Sequence, residues 1–204
     1  MNKGEQTKQH ILKFAKEEFF EKGYSAASTR NIAKRAGLTT GAIFRYFSDK
    51  KSLFDALVAP VAKYMLSLYQ EGNQQGYQML EKDSPQKMWQ ISDEVINTLV
   101  DYIFANKEVF HLLINCSNGS PYENFVDELV EEEVQQTSAF LQDMIRRGYP
   151  CRDLSCDEIH VIISAQYYAI FEIVRHDLTK EEAVERIQLI ADFFRPGWES
   201  IFGW

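Results

Sequence analysis

Residues 29–47 read T-R-N-I-A-K-R-A-G-L-T-T-G-A-I-F-R-Y-F. Ile32, Ala33 and Ala36 recur at helical spacing behind a capping hydroxyl at Ser28 or Thr29, and Gly37 stops that short helix. Thr39 caps a second helix, expected to run through Phe47. Two short helices joined by a tight glycine turn make a helix-turn-helix, which lays its second helix in a DNA major groove. Ala33, Ala36 and Gly41 are small enough to let two helix backbones approach, and Leu38 and Ile43 plug the angle between them.

Continued to Leu53, the pattern I-A-x-x-A-G-L-T-T-G-A-I-F-R-Y-F-S-D-K-x-x-L resembles the DNA-binding region of the tetracycline-repressor (TetR) family. The resemblance covers roughly residues 8–57. Thr40, Ala42 and Phe44 stand where lysine, threonine and tyrosine are frequent in that family, so an operator sequence does not carry over from relatives. The resemblance implies an all-α chain. Residues 1–48 would be a three-helix DNA-binding domain, and residues 49–204 a larger helical domain for ligand binding and dimerisation. It also implies a homodimeric repressor. Ligand in the body would shift the fourth helix, change the distance between heads and release a palindromic operator.

Charge supports a chain that meets DNA by one end. Residues 1–51 hold eleven Lys and Arg against five Asp and Glu, and residues 52–204 hold eleven against twenty-five. A head of +6 attracts the phosphate backbone, while a body of −14 is repelled by it. The overall −8 hides this polarity. No run of about 18 apolar residues suggests a membrane span, and the polar start M-N-K-G-E-Q-T-K-Q-H has no apolar signal core. Cys116, Cys151 and Cys156 form neither a zinc pattern nor an even disulfide set. These features point to a cytoplasmic protein without metal or cofactor. The four histidines are scattered, and no H-E-x-x-H, G-x-S-x-G or phosphate-cradling glycine loop is present, which argues against an enzyme.

Along the chain, Ile11, Phe14, Ala15 and Phe19 stripe a first helix that Gly23 ends, with Tyr24 plugging the small core. A fourth helix starts near Ser48 and Asp49, and Pro60 is expected to kink or break it. Residues 71–84, with Gly72 and Gly76, read as a loop around a short helix. Ser84-Pro85 opens a helix reaching Ala105, and Asn106 caps another. A long helix spans residues 122–147, and its acidic run Glu131, Glu132 and Glu133 reads as a solvated face. Ser155-x-x-Glu158 and Thr179-x-x-Glu182 are capping boxes for the last two helices. Pro196-Gly197 is expected to end the final helix, with the aromatic tail folding back onto the body.

Candidate site residues follow. Thr39, Thr40, Gly41 and Ala42 open the second motif helix and suit base edges, while Thr29, Arg30, Arg45, Tyr46 and Lys50 suit phosphates. Trp89, Asp93, Tyr102, Phe110, Phe125, Tyr167, Tyr168 and Phe171 are candidates for an effector pocket. Glu172, Arg175 and His176 read as a ligand's polar partners or as a local ion pair. The run V-I-I-S-A-Q-Y-Y-A-I-F-E-I-V is apolar nearly all round, so a second copy is expected to cover it. Ile159, Ile163, Ile170, Val184, Ile187 and Ala191 would form an isologous four-helix interface. The expected partners are double-stranded DNA, a second copy and a small-molecule effector. Two other readings stand beside this one: a helix-turn-helix used for protein interaction, and a thiol sensor built on Cys151 and Cys156.

Overall fold

The computed structural model describes residues 2–81, 87–176 and 178–204, leaving out the side chains of 81, 88–93 and 95. The described residues form helices and connecting turns: α1 Lys3–Ala26, α2 Thr29–Arg35, α3 Thr40–Phe44, α4 Lys50–Glu81, α5 Met88–Ala105, α6 Lys107–Asn115, α7 Phe125–Arg146, α8 Cys156–Arg175 and α9 Lys180–Phe202. Two compact units result. The first is Met1–Lys63 with Asn106–Phe125, and the second is Tyr64–Ala105 with Val126–Trp204.

In the first unit, Ile11, Ala15 and Phe19 of α1 are fully buried together with Ile32, Ile43, Leu53 and Phe54. Burying each large side chain contributes about 1.5–3 kcal/mol. Gly23 breaks the regular helix with φ 70° and ψ 164°, and the next amide, Tyr24 N, donates to Cys116 O at 2.7 Å. Tyr24 then stacks on Phe19 at 5.9 Å and meets Phe54 edge-on at 5.1 Å. The unit therefore extends past the boundary expected at residue 48. The first turns of α4 supply its core, and residues 106–125 pack against α1, where the Phe20 and His111 rings stack at 4.4 Å.

Several expectations about element ends change. The second motif helix stops at Phe44 rather than Phe47. Tyr46 N and Phe47 N both donate to Ile43 O, at 2.9 and 3.0 Å, and Phe47 turns inward. Pro60 lies inside an unbroken α4, which continues to Glu81 through the segment expected as a loop. Met65, Leu68 and Leu80 are buried at helical spacing with Gly72 and Gly76 between them. That stripe outweighs the roughly 1 kcal/mol that each helical glycine costs. The cap at Ser84-Pro85 lies outside the described residues.

In the second unit, both expected capping boxes form. Ser155 Oγ accepts from Glu158 N at 3.3 Å and Thr179 Oγ1 from Glu182 N at 3.2 Å, with each glutamate reaching back to its cap amide. Pro196 does not end α9. The helix runs to Phe202, buries Trp198, Ile201 and Phe202, and stops at Gly203, which has φ 77°. Among the described residues, no helix is long and apolar enough to cross a membrane.

Candidate functional site

The helix-turn-helix closes as its sequence requires. Gly37 takes φ 66°, and Leu38 N donates to Ala33 O at 2.9 Å, sealing the end of α2 with a left-handed residue. Thr39 Oγ1 accepts from Ala42 N at 3.1 Å and so caps α3, leaving its own O–H free to donate outward. The α2 cap comes from elsewhere. Neither Ser28 nor Thr29 supplies it. Instead Glu18, buried on α1, accepts from Ser28 N at 3.2 Å and from Asn31 Nδ2 at 3.3 Å. A carboxylate at a helix N-terminus satisfies orphan amides and complements the helix dipole. His10 Nε2 lies 3.0 Å from Ala36 O, tying α1 to the turn. With Ile43 and Phe47 inward, the side left open carries Gly41, Phe44, Arg45 and Tyr46.

The second unit contains a cavity of about 200 Å³ lined by α4, α5, α7, α8 and α9. Leu99, Val100, Ile163, Ile170, Ile173 and Ile187 supply apolar wall, and Trp198 and Phe202 of α9 add aromatic surface. Gly72 and Gly76 leave α4 bare on that side, and a Cβ on Gly76 would meet nothing within 4 Å. Tyr69 and Tyr167 stack with ring centroids 5.5 Å apart. Beside them Glu133 Oε1 accepts from Thr137 Oγ1 at 3.5 Å, and Tyr167 and Asn73 also favour its ionised form through side-chain hydrogen bonding. Burial pushes the Glu133 carboxyl above the usual carboxylate range against the opposing pull of those bonds, and the neighbouring charge of Glu132 adds to the rise. Burial and the nearby Glu133 charge likewise raise both tyrosines. Trp198 Nε1 donates to Gln166 Oε1 at 2.9 Å.

Residues 11–57 match the family model described as bacterial regulatory proteins, tetR family. The head is of the TetR family. It is 45% identical over 53 residues to the HTH-type transcriptional regulator AcrR of Shigella flexneri, covering 26% of this chain and 25% of that one. It is 41% identical over 64 residues to the HTH-type transcriptional repressor AcnR of Corynebacterium diphtheriae, covering 31% and 34%. The chain thus spans about a quarter to a third of the length of these relatives. Over 88% of its length the chain is similar in fold to the TetR family transcriptional regulator PfmR of Thermus thermophilus, with TM-score 0.54, 20% identity, and 96% of that chain covered.

On the TetR-family head, Arg30, Thr39, Gly41, Arg45 and Tyr46 are exposed, while Thr29, Thr40 and Ala42 are half-buried. Arg45 has no ion-pair partner among the described residues. Two expectations change. Lys50 was expected at a phosphate, yet its Nζ donates to Tyr24 O, Ser25 O and Ala27 O at 2.7, 3.1 and 3.4 Å and sits over the Tyr24 ring at 4.5 Å. It closes the α1–α2 turn. Gly41 does not serve helix approach, since an added Cβ would meet only Thr39 Oγ1 at 4.0 Å. Phe44, 49% exposed beside Arg45, joins the open face. Its outward aim was implicit in the inward pair Ile43 and Phe47, four residues apart.

Of the eight residues expected around an effector, Tyr167 alone lines the cavity among those with described side chains. Trp89 and Asp93 lie outside the described side chains. Phe110 and Phe125 are core of the first unit, Phe171 is fully buried in the second, and Tyr102 packs on Tyr64 at 4.0 Å. Tyr168 is exposed and donates to Asp127 at 2.5 Å. Glu172, Arg175 and His176 are a local ion cluster, with Glu172 accepting at 2.7 Å from Arg175 and lying 3.1 Å from His176. Glu133 is not on a solvated face, because α7 turns it toward the cavity. The interface set changes too. Ile159, Ile163, Ile170 and Ile187 are buried by the chain itself, three of them as cavity wall. Val184 stays exposed and Ala191 half-buried, and the open apolar surface lies instead at Val161, Leu189 and Phe193, which are 69%, 70% and 77% exposed. Cys151 packs its Sγ 3.4 Å from Phe202 O, and burial pushes its thiol up, away from the reactive thiolate. Cys156 is exposed, with Sγ 3.6 Å from Ser138 Oγ.

Proposed function

We propose that this protein is a cytoplasmic transcriptional repressor that binds a near-palindromic operator as a homodimer and leaves it when a small molecule fills the cavity of the second unit. The observation that carries this reading is the head: a capped α3 whose open side holds Thr39, Gly41, Phe44, Arg45 and Tyr46, on a segment of +6 charge. Hydroxyl, methyl and guanidinium groups there suit base edges and phosphates. The likeness to AcnR, a transcriptional repressor 41% identical over 64 residues, supports repression.

Homodimerisation accounts for the exposed Val161 on α8 and the exposed Leu189 and Phe193 on α9. Bare apolar side chains of this size mark interaction surface. Two heads related by a two-fold axis read half-sites roughly 34–36 Å apart, or a multiple of that. The test is selection of bound sequences from a random duplex pool at two salt concentrations. A palindrome with strong salt dependence is expected, with a log–log slope of about −5 for six phosphates. Recovery of no sequence preference at either salt would overturn the reading.

A further inference from the structure

We propose that the cavity takes a compact apolar cation, one ring bearing a short chain that ends in a protonated amine, and that Glu133 is its counter-ion. The proposal rests on the reading of this cavity as the effector site. Size sets the body. A dry cavity of about 150 Å³ holds benzene, so one of about 200 Å³ holds a ring with two or three further atoms. Isoleucine, leucine and valine side chains supply most of the wall, with Asn73, Thr137 and Gln166 as neutral polar groups among the lining, so the body of the ligand is mainly apolar.

Charge sets the head group. Glu133 is the one carboxylate among the described lining residues, and neither lysine nor arginine stands among them. The groups around its carboxylate are neutral: Thr137 Oγ1 donates to Glu133 Oε1 at 3.5 Å, and Tyr167 and Asn73 stand beside it. An ionised carboxylate offers about four lone-pair sites, so these three groups leave capacity for a further donor. Neutral donors do not cancel the charge, whereas an ammonium does so and forms a charge-assisted hydrogen bond as well. An anion is repelled there.

Two probes of one size and shape separate the possibilities by calorimetric titration of the full chain without DNA: phenethylamine and propylbenzene. Phenethylamine is expected to bind about tenfold or more tighter than propylbenzene, as one charge-assisted hydrogen bond allows. Glu133→Gln should bring phenethylamine down to parity with propylbenzene. Gly76→Leu, which fills the cavity from α4, should remove binding of both. Propylbenzene matching phenethylamine in the wild type, a preference that survives Glu133→Gln, binding that survives Gly76→Leu, or no binding by phenethylamine would each overturn the proposal. Failure of the proposed function reads differently: phenethylamine binds through Glu133 yet operator affinity is unchanged.

Discussion

At the scale of single residues, two charged side chains act where their neighbours in sequence gave no hint. Lys50 spends its ammonium on three backbone carbonyls of the α1–α2 turn. Lys50→Met should therefore destabilise the first unit by about 1–3 kcal/mol in chemical denaturation, since each carbonyl loses a charged donor. It should leave the slope of log K against log salt unchanged. Arg45→Ala should do the reverse, lowering the magnitude of that slope by about 2, one phosphate contact for each protomer of the dimer, with no loss of stability. Glu133 is held above the usual carboxylate range by burial. A folded-state value raised in this way contributes stability below the unfolded value, and that contribution is lost as pH rises through the folded one. Ionised Glu133 also faces the charge of Glu132, while Tyr69 and Tyr167 stay neutral. Glu133→Gln should thus raise the melting temperature more at about pH 8 than at about pH 4. An equal gain at both would show that the carboxylate carries no buried charge.

At the scale of elements, helix ends are decided by what the helix packs on. Gly203 closes α9 with φ 77°, and a Cβ there would stand 2.5 Å from Pro150 O. Gly203→Ala combines a disfavoured backbone region with a clash against backbone. A loss of about 2 kcal/mol or more is expected in thermal denaturation, whereas Gly76→Ala, in open space, should stabilise α4 by up to about 1 kcal/mol. Pro60 withholds one amide from α4, which persists because Val58, Val61, Ala62 and Met65 are buried around it. Pro60→Ala should restore that hydrogen bond and add about 1–3 kcal/mol to stability. A melting temperature unchanged by Pro60→Ala would mean that the helix has adapted to the missing bond.

At the scale of the whole molecule, charge and apolar surface are distributed for different partners. The basic 51-residue segment attracts a polyanion and the acidic remainder repels one. The bare Leu189 and Phe193 of α9 stand for the second copy of the proposed dimer. Leu189→Glu with Phe193→Glu should convert a dimer to a monomer in sedimentation and weaken operator binding. The melting temperature of the protomer should fall little, because neither side chain is in its core. A dimer that survives both changes would move the interface to another surface.

The sequence by itself determined what depends on residues within about one helical turn. The glycine turn at Gly37, the Thr39 cap, the two capping boxes and the inward stripe of α1 are all local pairings. Only the tertiary structure decided what depends on distant neighbours. Glu18 caps α2 from ten residues upstream of Ser28, and Lys50 reaches 26 residues back to Tyr24. Gly72 and Gly76 are helical because a buried stripe surrounds them, and Pro196 is tolerated because Trp198 and Phe202 have a core to enter. Glu133 sits in a run of three glutamates that look alike in one dimension. Three-dimensional packing turns one of them from water toward an apolar cavity, and the cost of that desolvation sets it apart from its neighbours.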